Sequence, residues 1–183
     1  GIGDHRDEPL SEFMVGLLET QVDFVSCRDE RLYQKIIKVF PSAHYLPCPA
    51  LFCADPSLVE RRSIVRTVGL NFQADSTRAN SAPTRVVNKL VDSYKKKKKK
   101  YNVVIVCHYI EDFKLALRRF SGLDVRYSSD ASDYIDIYRD VDFIVSPRVH
   151  GCGIGSSLGI PSYGVAHDMR ASTTSGFLSR KVT

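Results

Sequence analysis

An arginine and a histidine two residues apart lead into glycines at 151, 153 and 155, all within the segment 142–161, Asp-Phe-Ile-Val-Ser-Pro-Arg-Val-His-Gly-Cys-Gly-Ile-Gly-Ser-Ser-Leu-Gly-Ile-Pro. A guanidinium can grip a phosphate or carboxylate through two parallel N–H donors, and an imidazole gives or takes a proton near neutral pH. Phe143, Ile144 and Val145 form the short apolar run of a parallel strand covered on both faces, and 162–166 reads as the next strand. The stretch between them is therefore predicted to be a βαβ unit whose helix opens among the glycines. Its first-turn N–H groups and macrodipole favour an anion there. Arg148 and His150 stand at the carboxyl end of the strand, where open α/β sheets place their ligands. If the turn is locally extended, the two side chains project to one side, setting the imidazole beside the anion that the guanidinium holds. The amides of Gly151, Cys152 and Gly153 are then expected to border the same anion. Glycines at this spacing also serve close helix packing. The coincidence of arginine, histidine and helix start favours the site.

Other strand ends carry polar residues too. Arg28 and Asp29 follow an apolar run at 24–27, with Asp29 placed to cap a helix over 30–40 and Arg28 free to reach a ligand. His108 follows the strand 102–107 and precedes Glu111 and Asp112; it either lines the same cleft as His150 or closes a strand–helix turn. His167 and Asp168 follow the strand 162–166 and are assigned to contact with a hydroxylated substrate, since neighbouring residues on an extended chain point to opposite faces and make a poor catalytic pair. His5 and His44 have no such placement and read as surface residues.

The elements that must position these groups alternate along the chain. Helical spacing covers 10–20, 30–40, 84–94, 111–120 and 132–139, and strand-like runs cover 24–27, 43–46, 68–72, 102–107, 125–127 and 142–146. Such alternation predicts a parallel sheet with right-handed crossovers. The segment 47–56, with three prolines, reads as a crossing between domains.

Composition sets the class. The 183 residues are 43% hydrophobic and 26% charged, as in a globular protein with a sizeable core. Net charge is +5, and much of that excess is the run Lys95 to Lys100, which reads as a solvated helix end and not as the spread basic and aromatic face of a nucleic-acid binder. The five cysteines form no Cys-x-x-Cys pair and suggest neither zinc nor a disulfide framework; Cys27 and Cys107 read as small hydrophobes within strands, and Cys152 as a packing residue. No stretch is long and apolar enough to span a bilayer, which points to the cytoplasm.

Two motifs in order now carry a resemblance. Ser-Pro-Arg-Val-His-Gly followed by Ser-Ser-Leu-Gly-Ile-Pro-Ser, together with Val-Ser-Cys-Arg-Asp-Glu at 25–30, resembles the polysaccharide pyruvyl transferase family from residue 1 to about Phe177. The family's Asp-Pro-Ala appears here as Cys48-Pro49-Ala50, which removes a carboxylate. The resemblance implies a GT-B-like α/β architecture of two Rossmann-like domains. Residues 1–54 would be the last elements of an incomplete front domain, and 55–183 the donor-binding domain. It also implies transfer of pyruvate from phosphoenolpyruvate to sugar hydroxyls as a ketal in cell-surface or exopolysaccharide biosynthesis, with a glycan acceptor, no separate cofactor and no metal. Arg148, His150 and Arg28 stand at matching family positions. Two alternatives stay open: a nucleotide-sugar glycosyltransferase of the same fold, and a noncatalytic glycan- or anion-binding protein.

Overall fold

A computed structural model of the chain describes residues 9–59, 63–74, 82–96, 101–165 and 177–182. The chain divides into two compact units, Gly1–Cys48 and Pro49–Thr183. The division precedes the expected break at 54/55, because Pro49–Phe52 is a 3-10 turn whose Ala50 packs on a helix of the second unit.

In the first unit, helix α1 (Glu12–Thr20) starts where Ser11 Oγ accepts the Met14 N–H. Strand β1 (Ser26–Cys27) pairs in parallel with β2 (His44–Tyr45), and α2 (Glu30–Ile36) joins them. Asp29 caps α2 as its position foretold: its carboxylate accepts the Leu32 N–H at 3.0 Å. Leu18, Cys27, Leu32, Ile36 and Ala43 form the core of this unit, and burial pushes the Cys27 thiol above its ordinary pKa.

The second unit is a parallel sheet of β3 (Thr67–Phe72), β4 (Asn102–Cys107), β5 (Asp124–Arg126), β6 (Phe143–Ser146), β7 (Ser162–Val165) and β8 (Ser179–Val182), in the spatial order β5-β4-β3-β6-β7-β8. The sequence reading did not assign β8, whose Ser-Arg-Lys-Val lacks an apolar run. Helix α3 (Ala82–Lys96) connects β3 to β4, α4 (Ile110–Arg119) connects β4 to β5, α5 (Tyr134–Arg139) connects β5 to β6, and α6 (Val149–Ser157) connects β6 to β7.

Strand alternation divides the helices between the two faces. On β4, Val103, Ile105 and Cys107 share a cluster with Val87 and Val91 of α3 and Ala116 of α4. Val104 and Val106 point the other way, to Tyr134 and Tyr138 of α5 and to Ile144, Leu158 and Ile160. Ile105, Val106 and Cys107 are fully buried, as a strand covered on both faces must be. The chain leaves β3 toward β5 on one side and returns to β6 on the other. The sheet's switch point therefore lies between β3 and β6, the crevice where doubly wound sheets bind ligands. The architecture is the α/β, Rossmann-like one that the alternation predicted.

Candidate functional site

Three strand ends meet at this crevice. Asn71 of β3 faces the α5 and α6 side, because its neighbours Leu70 and Phe72 face α3 and α4. His108 follows β4, and Ser146 closes β6. The Ser146 Oγ accepts the Arg148 N–H at 2.9 Å and donates to the Arg148 carbonyl at 2.8 Å, folding the turn that starts α6. Arg148 is the N-cap of α6, with φ −104° and ψ 128°, and its side chain makes no capping hydrogen bond.

The side chains of Arg148 and His150 part instead of projecting together. An extended turn would have aligned them, but only Arg148 is extended; Val149 and His150 already belong to the helix, where residues two apart diverge by about 200°. Arg148 turns toward α4. Its Nη2 donates to Asp112 at 2.5 Å, and its guanidinium carbon lies 4.5 Å from the centre of the Tyr109 ring. Asp112 is almost wholly buried and also accepts the Ala74 N–H at 2.6 Å, so one carboxylate in the first turn of α4 ties together the loops after β3 and β6. Burial outweighs the help of Ala74 and Arg148 and raises the Asp112 pKa above its ordinary value. The Arg148 Nε is buried with no hydrogen-bond partner among the described residues.

His150 lines a cleft of about 500 Å³ together with His108, Tyr127, Ser128, Ser132, Tyr134 and Cys53. His108 Nε2 lies 2.9 Å from the Tyr138 hydroxyl and 3.4 Å from Asn71 Nδ2, and its ring packs at 4.8 Å from that of Tyr134. Burial, then the charges of Arg148 and His150, push the His108 pKa down to about 3, so the ring is neutral.

The glycines of α6 pack against protein. A Cβ on Gly151 would lie 2.1 Å from Asn71 Oδ1 and 2.6 Å from Ser146 Oγ; one on Gly153 would lie 2.9 Å from the Ala50 Cβ; one on Gly155 would lie 2.5 Å from Ile144 Cδ1. Cys152 is buried too, as a packing residue should be. In the first unit, Arg28 Nη1 donates to the Sγ of Cys48 at 3.1 Å, the residue standing where the family pattern has aspartate. His167 and Asp168 lie outside the described residues. Among the described residues no cluster of three His, Cys, Asp or Glu could hold a metal ion, and no helix is long and apolar enough to cross a membrane.

Three residues of this arrangement escaped the sequence reading. Asn71 had a signal, being a polar residue inside the run Val-Gly-Leu-Asn-Phe, where a buried amide must find partners. Asp112 is one of many acidic residues at a helix start. Tyr138 follows Tyr134 by one helical turn and reads as core packing.

Among curated proteins, none is significantly similar to the chain in sequence. The family model for polysaccharide pyruvyl transferase matches residues 1–169, and with that match spanning nearly the whole chain, including both motif segments and the switch-point crevice, the protein belongs to the polysaccharide pyruvyl transferase family of transferase enzymes.

Proposed function

We propose that the cleft shared by His108 and His150 transfers pyruvate from phosphoenolpyruvate to hydroxyls of a glycan acceptor as a ketal. The observation that carries this reading is the convergence of two histidines, one of them held neutral, on one cleft at the carboxyl edge of the sheet. The reaction needs a proton delivered to the methylene carbon of the enol, which turns C2 into a cationic centre. One sugar hydroxyl attacks C2; a second then displaces the phosphate. One hydroxyl proton replaces the one given to the methyl group, and the other leaves on the phosphate. His150, exposed in the cleft and lying in the first turn of α6, is the residue suited to deliver the proton. The charge of Arg148 reaches His108, and the hydroxyls of Ser128 and Ser132 suit a sugar acceptor.

His150→Gln tests the assignment in catalytically active protein, since the amide can donate to an oxygen but cannot protonate carbon. Turnover should fall by about 10²–10⁴-fold with phosphoenolpyruvate affinity nearly kept. Turnover near the wild-type rate would remove His150 from the role of acid. Binding of a uridine or guanosine diphosphate with no response to phosphoenolpyruvate would replace the reading with nucleotide-sugar transfer.

A further inference from the structure

We propose that Asn71 and Tyr138 are positioning residues that lock His108 as its Nδ1–H tautomer, so that His108 offers the cleft a fixed hydrogen-bond donor for a ligand oxygen and takes no part as a proton donor. The inference rests on the cleft being the substrate site.

With the Asn71 amide placed so that Nδ2 faces Tyr138 and Val106, an orientation that leaves its Oδ1 buried without a partner among the described residues, the hydrogen bonds set the tautomer. Asn71 is completely buried, and its Nδ2 lies 2.5 Å from the Tyr138 oxygen, 3.4 Å from the Val106 carbonyl and 3.4 Å from His108 Nε2. A carbonyl only accepts, so Val106 identifies the amide atom facing it as the nitrogen, which only donates. The Tyr138 oxygen therefore receives an N–H, and its own proton must go elsewhere. Tyr138 is itself fully buried, and the acceptor within reach among the described residues is His108 Nε2, at 2.9 Å. The Tyr138 hydroxyl thus donates to Nε2, which must carry its lone pair. A neutral ring then holds its proton on Nδ1, and burial beside Arg148 and His150 keeps it neutral at physiological pH.

Nδ1 has no partner among the described residues, yet it is not among the buried polar atoms left without one. The ring lines the cleft, so Nδ1–H is the polar group it presents there. Such a donor suits a carboxylate or phosphate oxygen without adding charge or exchanging a proton. The two histidines of the cleft then have separate tasks, proton delivery at 150 and a fixed dipole at 108. Gly151 belongs to the device as well: any side chain there would collide with Asn71 Oδ1, and so with the amide that starts the chain of bonds.

Long-range proton–nitrogen correlation spectra of protein labelled with ¹⁵N-histidine read the tautomer directly. At pH 7 and pH 5 alike, His108 should show a protonated Nδ1 and a pyridine-type Nε2. A protonated Nε2, or an imidazolium at pH 5, overturns the proposal. Tyr138→Phe removes one hydroxyl from an otherwise unchanged shape and should shift the ring to a mixture of tautomers. An unchanged Nδ1–H signal in that variant removes Tyr138 from the role, and if the variant does not fold, the wild-type spectrum still decides. Addition of phosphoenolpyruvate should move the Nδ1–H resonance, and His108→Ala should weaken its binding about tenfold or more while His108→Asn, whose amide N–H can stand near the Nδ1 position, keeps most of it. Binding by calorimetry with no change at Nδ1 overturns the donor role. Failure of phosphoenolpyruvate to bind at all overturns the pyruvyl-transfer reading instead, and the tautomer measurement then stands on its own.

Discussion

Replacing Gly151 by alanine separates the two uses that a glycine at the start of α6 can have. If the position is bare so that a ligand's phosphate can approach the backbone, alanine lowers ligand binding and leaves stability untouched or slightly raised, since alanine is the better helix former by about 1 kcal/mol. The structure argues for the other use. The added methyl would lie 2.1 Å from Asn71 Oδ1 and 2.6 Å from Ser146 Oγ, both side chains of buried residues with no open space to retreat into. Relieving the clash moves Asn71 away from Tyr138 and His108, or opens the Ser146 bonds that fold the turn before the helix. Overpacking costs about 1–3 kcal/mol, and a buried donor left unmet costs about 1–3 kcal/mol more. The sum, roughly 2–6 kcal/mol, is a large share of the 5–15 kcal/mol that holds an ordinary domain folded. Urea denaturation should show a midpoint lowered by about 1–3 M at an unchanged slope, for a slope of about 2 kcal/mol/M. A midpoint equal to the wild type's, with weakened phosphoenolpyruvate binding, would refute the packing argument and return Gly151 to the ligand.

Gly16 provides the contrast: nothing lies within 4 Å of a Cβ placed there, in the interior of α1, so Gly16→Ala should stabilise the first unit by about 0.5–1 kcal/mol in the same urea titration, and a loss would contradict the open space. Arg148→Met strands Asp112 as a buried unpaired carboxylate and should cost about 3–5 kcal/mol, much of it recovered by adding Asp112→Asn; strictly additive costs in that double-mutant cycle would show that the two residues do not act as a pair. His108 binds its proton less tightly when folded, with a pKa near 3, than when unfolded, near 6.5. The stabilisation from its neutral form is therefore complete above about pH 6.5 and is lost as the pH falls toward 3. Between pH 7 and 5 stability should fall with a slope approaching 1.4 kcal/mol per unit from this group, and His108→Gln should flatten that slope; equal slopes in both proteins would place the titration elsewhere.

The order of elements was legible because each signal is local. Short stretches rich in apolar residues and bounded by turn formers marked β3, β4, β6 and β7, an aspartate just before an amphipathic stretch marked the start of α2, and strict strand–helix alternation implied the parallel sheet. The motif residues also reached their expected strand ends, since a strand's last residue is fixed once the strand is. β8 stayed hidden because an edge strand whose residues include arginine and lysine has no apolar run to betray it. Where the side chains point was decided only by the tertiary structure. The difference between an extended turn and a helix beginning at Val149 sends Arg148 to Asp112 and Tyr109 but leaves His150 in the cleft. Asn71 and His108 are 37 residues apart, and Tyr138 is 30 beyond His108; no spacing in the chain announces their hydrogen bonds. They meet because β3 and β4 are neighbours in a sheet whose strand order the sequence did not state, and because α5 crosses back over that pair before β6 begins. The residue types limited the chemistry to protons and anions, and packing determined which histidine is held neutral.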